Sequence, residues 1–205
     1  MEPISQIESA GRHAFTWQGY QSAVKCDLTS TAVEVGGSLV FVDPVALTDL
    51  ALATLLAGRT PSAILLTNAN HQRDSLALRD RLSIPIVAPA AARDEITADF
   101  WIDEKDPSLV YGLRPIPLPG AGLGEVAYYL DGDDPTLVFG DAVINLPPEG
   151  QRLLPAKYCE DADLLCRSIR TLENLGVQSL HFAHGRPVLH HAAEALSGLV
   201  ASTLK

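Results

Sequence analysis

The stretch Ala63-Ile64-Leu65-Leu66-Thr67-Asn68-Ala69-Asn70-His71-Gln72-Arg73-Asp74 runs from an apolar core segment straight into a polar loop. Ala63 to Thr67 is the short apolar run of a buried strand. The pattern places a helix from Arg73 to Leu82 and another strand at Pro85-Ile86-Val87-Ala88. Strand, helix and strand in succession imply parallel pairing, because only a crossover returns the chain in the same direction. Upstream, Ala32 to Val42 reads as two strands joined by a tight turn at Gly36-Gly37, and Asp43-Pro44 ends the second. Leucines and alanines at helical spacing follow from Val45 to Ala57, with Gly58 as the stop before Pro61.

Downstream, Phe100 to Ile102, Leu113 to Leu118, Glu125 to Leu130 and Thr136 to Phe139 read as short strands. The last two form a hairpin across Asp131-Gly132-Asp133-Asp134-Pro135. A proline-rich stretch from Leu146 to Pro155 precedes a helix from Asp161 to Leu175, whose Leu164, Leu165, Ile169, Leu172 and Leu175 mark one apolar face. Leu180 to Ala183 is a final strand and His190 to Thr203 a final helix. The two halves are alike, so the expectation is two sheets faced by helices within a single domain, 1–205.

Three more segments begin where strands end: Pro119-Gly120-Ala121-Gly122-Leu123-Gly124, Gly140-Asp141, and Ala183-His184-Gly185-Arg186-Pro187. With Thr67 to Asp74 they stand in the order and spacing of the signposts of the metallo-β-lactamase superfamily, and the chain resembles that family from its opening strands through His184-Gly185. The resemblance implies an α/β, four-layer αβ/βα sandwich with a site at the sheet edge. Family members that do chemistry carry Thr-His-x-His-x-Asp-His, a His after Pro-Gly, an Asp after Gly, and His-Gly, whose side chains hold two metal ions that activate a water. In this chain those positions are Asn68, Asn70, Gln72, Arg73, Ala121, Asp141 and His184, so five of the seven are changed. Amides are poor zinc ligands, Ala121 has no ligand atom, and Arg73 is a permanent cation.

Two functional expectations follow. The first is a degenerate, metal-free site that binds a small molecule or a protein, or has an unrecognised metal-free activity. The second is an atypical mononuclear hydrolase of small esters, thioesters or lactones, with one zinc or iron ion on His71, Asp141 and His184. His71 occupies a spacer position of the motif, and its bland reading is a loop histidine bonded to backbone or water. Asp141 is expected to pair directly with Arg73, whose guanidinium would replace the missing metals.

Other chemistries have weaker support. Gly120-x-Gly122-x-Gly124 departs from the dinucleotide fingerprint and precedes a strand rather than a helix. Ser75 lacks the Gly-x-Ser-x-Gly elbow of serine hydrolases. The 15 Lys plus Arg against 25 Asp plus Glu give a formal net charge of −10, which disfavours nucleic acid as a partner. No apolar run approaches a membrane span, and Met1 to Glu8 lacks a secretory pattern, so the cytoplasm is the expected compartment. Cys26, Cys159 and Cys166 suit reduced thiols, the last two as core residues sharing a helical face. His13, His181, His190 and His191 read as surface or packing residues, and Trp101, Tyr111 and Tyr158 as packing or pocket-lining aromatics.

Overall fold

In the computed structural model, which describes residues 1–105 and 107–204, the first sheet contains β1 (Glu8–Ser9), β2 (Ala14–Gln21), β3 (Cys26–Val35), β4 (Ser38–Val42), β5 (Thr60–Leu65), β6 (Ile86–Pro89) and β7 (Phe100–Ile102), side by side in that order. Strands β1 to β4 are antiparallel hairpin neighbours; β4 to β7 are parallel. The crossovers between parallel strands carry α1 (Asp49–Leu56) and α2 (Ser75–Leu82). In the second sheet β8 (Arg114–Pro117), β9 (Val126–Leu130) and β10 (Thr136–Phe139) are antiparallel, and β13 (Ser179–Phe182) lies parallel to β10. A separate hairpin, β11 (Val143–Leu146) with β12 (Gly150–Leu153), precedes α3 (Ala162–Arg170), and α4 (Ala192–Ser202) closes the chain.

The layering follows from the two-residue period of a strand, which sends neighbouring side chains to opposite faces. On β4, Leu39 and Phe41 face Leu52 and Leu55 of α1, while Val40 and Val42 enter the layer between the sheets. Ala63, Leu65 and Val87 join that layer and meet Val126, Tyr128 and Val138 of the second sheet. The other face of the second sheet, with Ala127, Leu137, Phe139, Leu180 and Phe182, buries Leu165 and Ile169 of α3 and Leu196, Leu199 and Val200 of α4. Helices, sheet, sheet and helices therefore stack in four layers. The Tyr128 hydroxyl donates to the Leu66 carbonyl at 2.8 Å and ties one sheet to the other.

Several boundaries differ from the sequence reading. Helix α1 starts at Asp49, not Val45, because Thr48 caps it through a bond from Ala51 N and Val45 is drawn into the core beside Trp17. Helix α2 starts at Ser75, since Arg73 has φ +39°, which no helix accommodates. Helix α3 stops at Arg170. Strand β7 completes the first sheet rather than opening the second, and β2 and the β11–β12 hairpin were not anticipated; Pro147-Pro148 sits in the turn of that hairpin. Cys159 precedes α3 and both Cys159 and Cys166 are only half-buried, so they share no helical face in the core. His181 is fully buried, and Tyr111 and Tyr158 are exposed. No helix among the described residues is long and apolar enough to cross a membrane.

Candidate metal centre

Strands β4 and β5 run parallel in one sheet, and β10 and β13 run parallel in the other. The loops leaving their carboxyl ends carry Asp43, the Thr67–Arg73 segment, Asp141 and His184. Ends of neighbouring parallel strands are where open α/β sheets gather their functional loops.

His71 reaches the site because of the local helix type. Ala69–His71 is a 3₁₀ turn capped by the Asn68 side chain, whose Oδ1 accepts from Asn70 N at 2.8 Å. Such a turn has three residues per revolution, so Asn68 and His71 fall on one side. Both are buried, whereas the intervening Asn70 is exposed. The motif's spacer position thereby becomes an inward one.

Each imidazole is held in a defined tautomer. Asp43, buried and at φ +48°, accepts from Thr67 N at 2.9 Å and from Thr67 Oγ1 at 2.6 Å. His71 Nδ1 lies 2.8 Å from Asp43 Oδ2 and 2.8 Å from Thr67 Oγ1. The threonine proton is spent on the carboxylate, so Nδ1 carries hydrogen and donates. His184 Nδ1 is 3.2 Å from the Asp27 carbonyl oxygen, which can only accept, so it too is the protonated nitrogen; Cys26 Sγ lies 3.5 Å away. Both Nε2 atoms then aim at one oxygen, Asp141 Oδ1, at 3.3 Å from His71 and 3.0 Å from His184. The three ligand atoms lie within 4.8 Å of one another.

A lone pair facing a carboxylate oxygen at this range is repulsive, so the arrangement demands a positive charge. A proton can supply it. Burial alone would lower the pKa of His71, yet Asp141 and Asp43 outweigh burial and raise it to about 9. Burial would likewise raise Asp141, but His71 and His184 hold it well below the usual carboxylate range. A metal ion can supply the charge equally well, and a histidine whose Nδ1–H is fixed by a carboxylate is the usual outer support of a metal ligand.

The other positions predicted from the resemblance behave differently. Asn68 does enter the site, where Nδ2 donates to Asp141 Oδ2 at 3.1 Å and to the buried Glu125 at 2.7 Å. Ala121 packs in the core against α3, and Gln72 donates to the Thr97 carbonyl. The expected ion pair between Arg73 and Asp141 gives way to another arrangement. The Arg73 guanidinium donates to the carbonyls of Thr29 at 2.7 Å, Asp43 at 2.9 Å and Ala183 at 3.1 Å. Its positive φ turns the side chain toward these carbonyls, and the Asp141 oxygens are already taken by Asn68 and the two imidazoles. Asp43, Thr67, Asp27 and Glu125 escaped the sequence reading as site residues. Asp43 at a strand end before Pro44, and Glu125 at the head of an apolar strand, were the available signals.

The family model described as metallo-beta-lactamase superfamily matches residues 9–203. The sequence matches no curated protein. Among solved structures, the DIM-1 metallo-beta-lactamase is 18% identical with TM-score 0.74, covering 98% of both chains. TMB-1 is 13% identical with TM-score 0.77 over 100% of both, and a metallo-beta-lactamase from Pontibacter korlensis is 14% identical with TM-score 0.72 over 98% of this chain and 99% of that one. At these identities the likeness is one of fold.

Proposed function

Because the chain belongs to the metallo-β-lactamase superfamily, we propose that it is a mononuclear metal-dependent hydrolase of small esters, thioesters or lactones. The observation that carries this reading is the convergence of His71 Nε2, His184 Nε2 and Asp141 Oδ1, with both imidazoles preset by hydrogen bonds at Nδ1. Two neutral imidazoles and a carboxylate are a donor set suited to zinc or iron, and three protein ligands leave a position for water. The residues fit one ion and not two. Asn68 offers an amide already engaged by two carboxylates, Ala121 has no ligand atom, and Arg73 is a cation.

When bound, such an ion lowers the pKa of a water and polarises a carbonyl. The chain's own residues do the rest. Asp43 and Thr67 fix the His71 ring, the Asp27 carbonyl fixes that of His184, and Asn68 restrains Asp141. Arg73, locked onto three carbonyls, joins β3 and the residue after β13 to the loop after β4 and so holds the ligands in register. Asp141 and His184 are the partly exposed ligands, with side chains 13% and 15% accessible, so substrate approaches from their side.

A second reading, a metal-free binding role for a small molecule or a protein, is favoured by the raised pKa of His71, since an imidazolium there donates from Nε2 to Asp141 without a metal. A panel of aryl esters, acyl thioesters and lactones assayed with zinc or iron separates the two. Turnover abolished by a chelator, restored by metal and absent in His71→Ala supports the hydrolase. Turnover indifferent to chelator, or none with metal loaded, overturns it.

A further inference from the structure

Glu125 is buried, lies beside the ligands and is not one of them. Its Oε1 accepts from Ala142 N at 2.9 Å and its Oε2 from Asn68 Nδ2 at 2.7 Å. The second hydrogen on Asn68 Nδ2 goes to Asp141 Oδ2 at 3.1 Å, and Asn68 Oδ1 accepts from Asn70 N at 2.8 Å. Every hydrogen-bonding atom of the Asn68 amide therefore has a partner, and rotating it would forfeit all three bonds together. Asp141 Oδ2 is thereby assigned to Asn68, which leaves Oδ1 for the two imidazoles.

The backbone is shaped to permit this. A Cβ on Gly140 would lie 2.7 Å from Glu125 Oε1 and 2.5 Å from Thr67 Oγ1, so only glycine lets the turn carrying Asp141 close over Glu125. The side chain at 125 must also be a carboxyl. Both of its oxygens receive an N–H, and a glutamine would turn its own NH₂ toward one of those donors. An unpaired buried carboxyl is costly, and these two bonds offset the cost.

We propose that Glu125 is a positioning residue for the centre: through Asn68 it sets the plane of the Asp141 carboxylate, so that Oδ1 and not Oδ2 faces His71 and His184. The consequence for metal affinity rests on the mononuclear reading above; the clamp itself does not. Outer partners that orient a ligand typically change metal affinity about 10–100-fold when removed.

The test uses the full chain in two variants, Glu125→Gln and the near-isosteric Asn68→Leu. In metal-free protein, the carboxyl carbon resonance of Asp141 and the Nε2 resonances of His71 and His184 are compared with wild type by NMR. Cobalt(II) is then titrated in, reading affinity and the shape of its visible absorption band. The expected result is displaced resonances in both variants, a 10–100-fold loss of cobalt affinity and an altered band. Unmoved resonances overturn the clamp, and so does a variant that merely melts earlier with wild-type resonances and band. Displaced resonances with cobalt affinity within about twofold of wild type overturn the positioning role. If wild-type protein takes up no cobalt, the mononuclear reading fails, and the resonances alone decide whether Glu125 positions Asp141.

Discussion

Acidification from neutral pH removes stability through one buried side chain, His181. The residue sits on β13 opposite Val138 of β10, between Leu180 and Phe182, which face the helices, so its ring enters the layer between the sheets. It is 1% exposed, and among the described residues neither ring nitrogen has a hydrogen-bond partner. Burial lowers its pKa from 6.5 to about 4, with Asp134 opposing only in part. A group whose folded pKa lies below its unfolded one takes up its proton on unfolding. The unfolded chain therefore binds more protons between pH 6.5 and about 4, and stability falls as pH falls through that window. At about 1.4 kcal/mol per pH unit the whole window is worth roughly 3 kcal/mol, of which about 2 kcal/mol is lost by about pH 5. Urea denaturation of wild type and His181→Leu at about pH 7.5 and about pH 5 isolates the effect, because every other group titrates in both proteins. Wild type is expected to lose about 2 kcal/mol more than the variant. Equal losses, within about 0.5 kcal/mol, would refute the reasoning.

Gly185→Ala places a Cβ against the backbone carbonyl of Asn145 at φ +101°, so a stability loss above about 2 kcal/mol and a displaced His184 are expected by denaturation and NMR. Arg73→Lys replaces a fork that spans three carbonyls with a point charge, and thermal or urea unfolding is expected to report a loss on the order of 2–4 kcal/mol. Adding Asp141→Asn to that variant is not expected to restore stability, as it would if Arg73 were directly paired with Asp141. Asp43→Asn turns an NH₂ toward the Thr67 and His71 donors, and zinc affinity by competition with a chromophoric chelator is expected to fall about 10–100-fold.

The layers were legible in the sequence because burial on two faces leaves a strong imprint: β4 and β6 are near-continuous apolar runs, β5 ends in one at Ala63–Leu65, and Thr136–Phe139 was bounded as found. Strand β2, with Gln18, Gly19 and Gln21 among its residues, carries no such run, and the β11–β12 hairpin was masked by its prolines. Asp141 and His184 could be read because each follows a strand end. The inward turn of His71 could not, since it depends on a three-residue helix type that leaves no periodic signal. Asp43 and Glu125 act across 28 and 57 residues of sequence, on His71 and Asn68 respectively, distances over which pattern reading has no purchase. The Arg73–Asp141 pair looked sound on charge alone; the backbone at Arg73, φ +39°, sent the guanidinium elsewhere.

The central claim is that His71, Asp141 and His184 form one ion site. Equilibrium dialysis of metal-stripped protein against zinc, followed by elemental analysis, tests it most directly. The account predicts close to one zinc per chain with a dissociation constant of about 1 μM or tighter, falling to background in both His71→Ala and His184→Ala. Less than about a tenth of an ion per chain in folded wild type, or an ion retained undiminished by both variants, would contradict it.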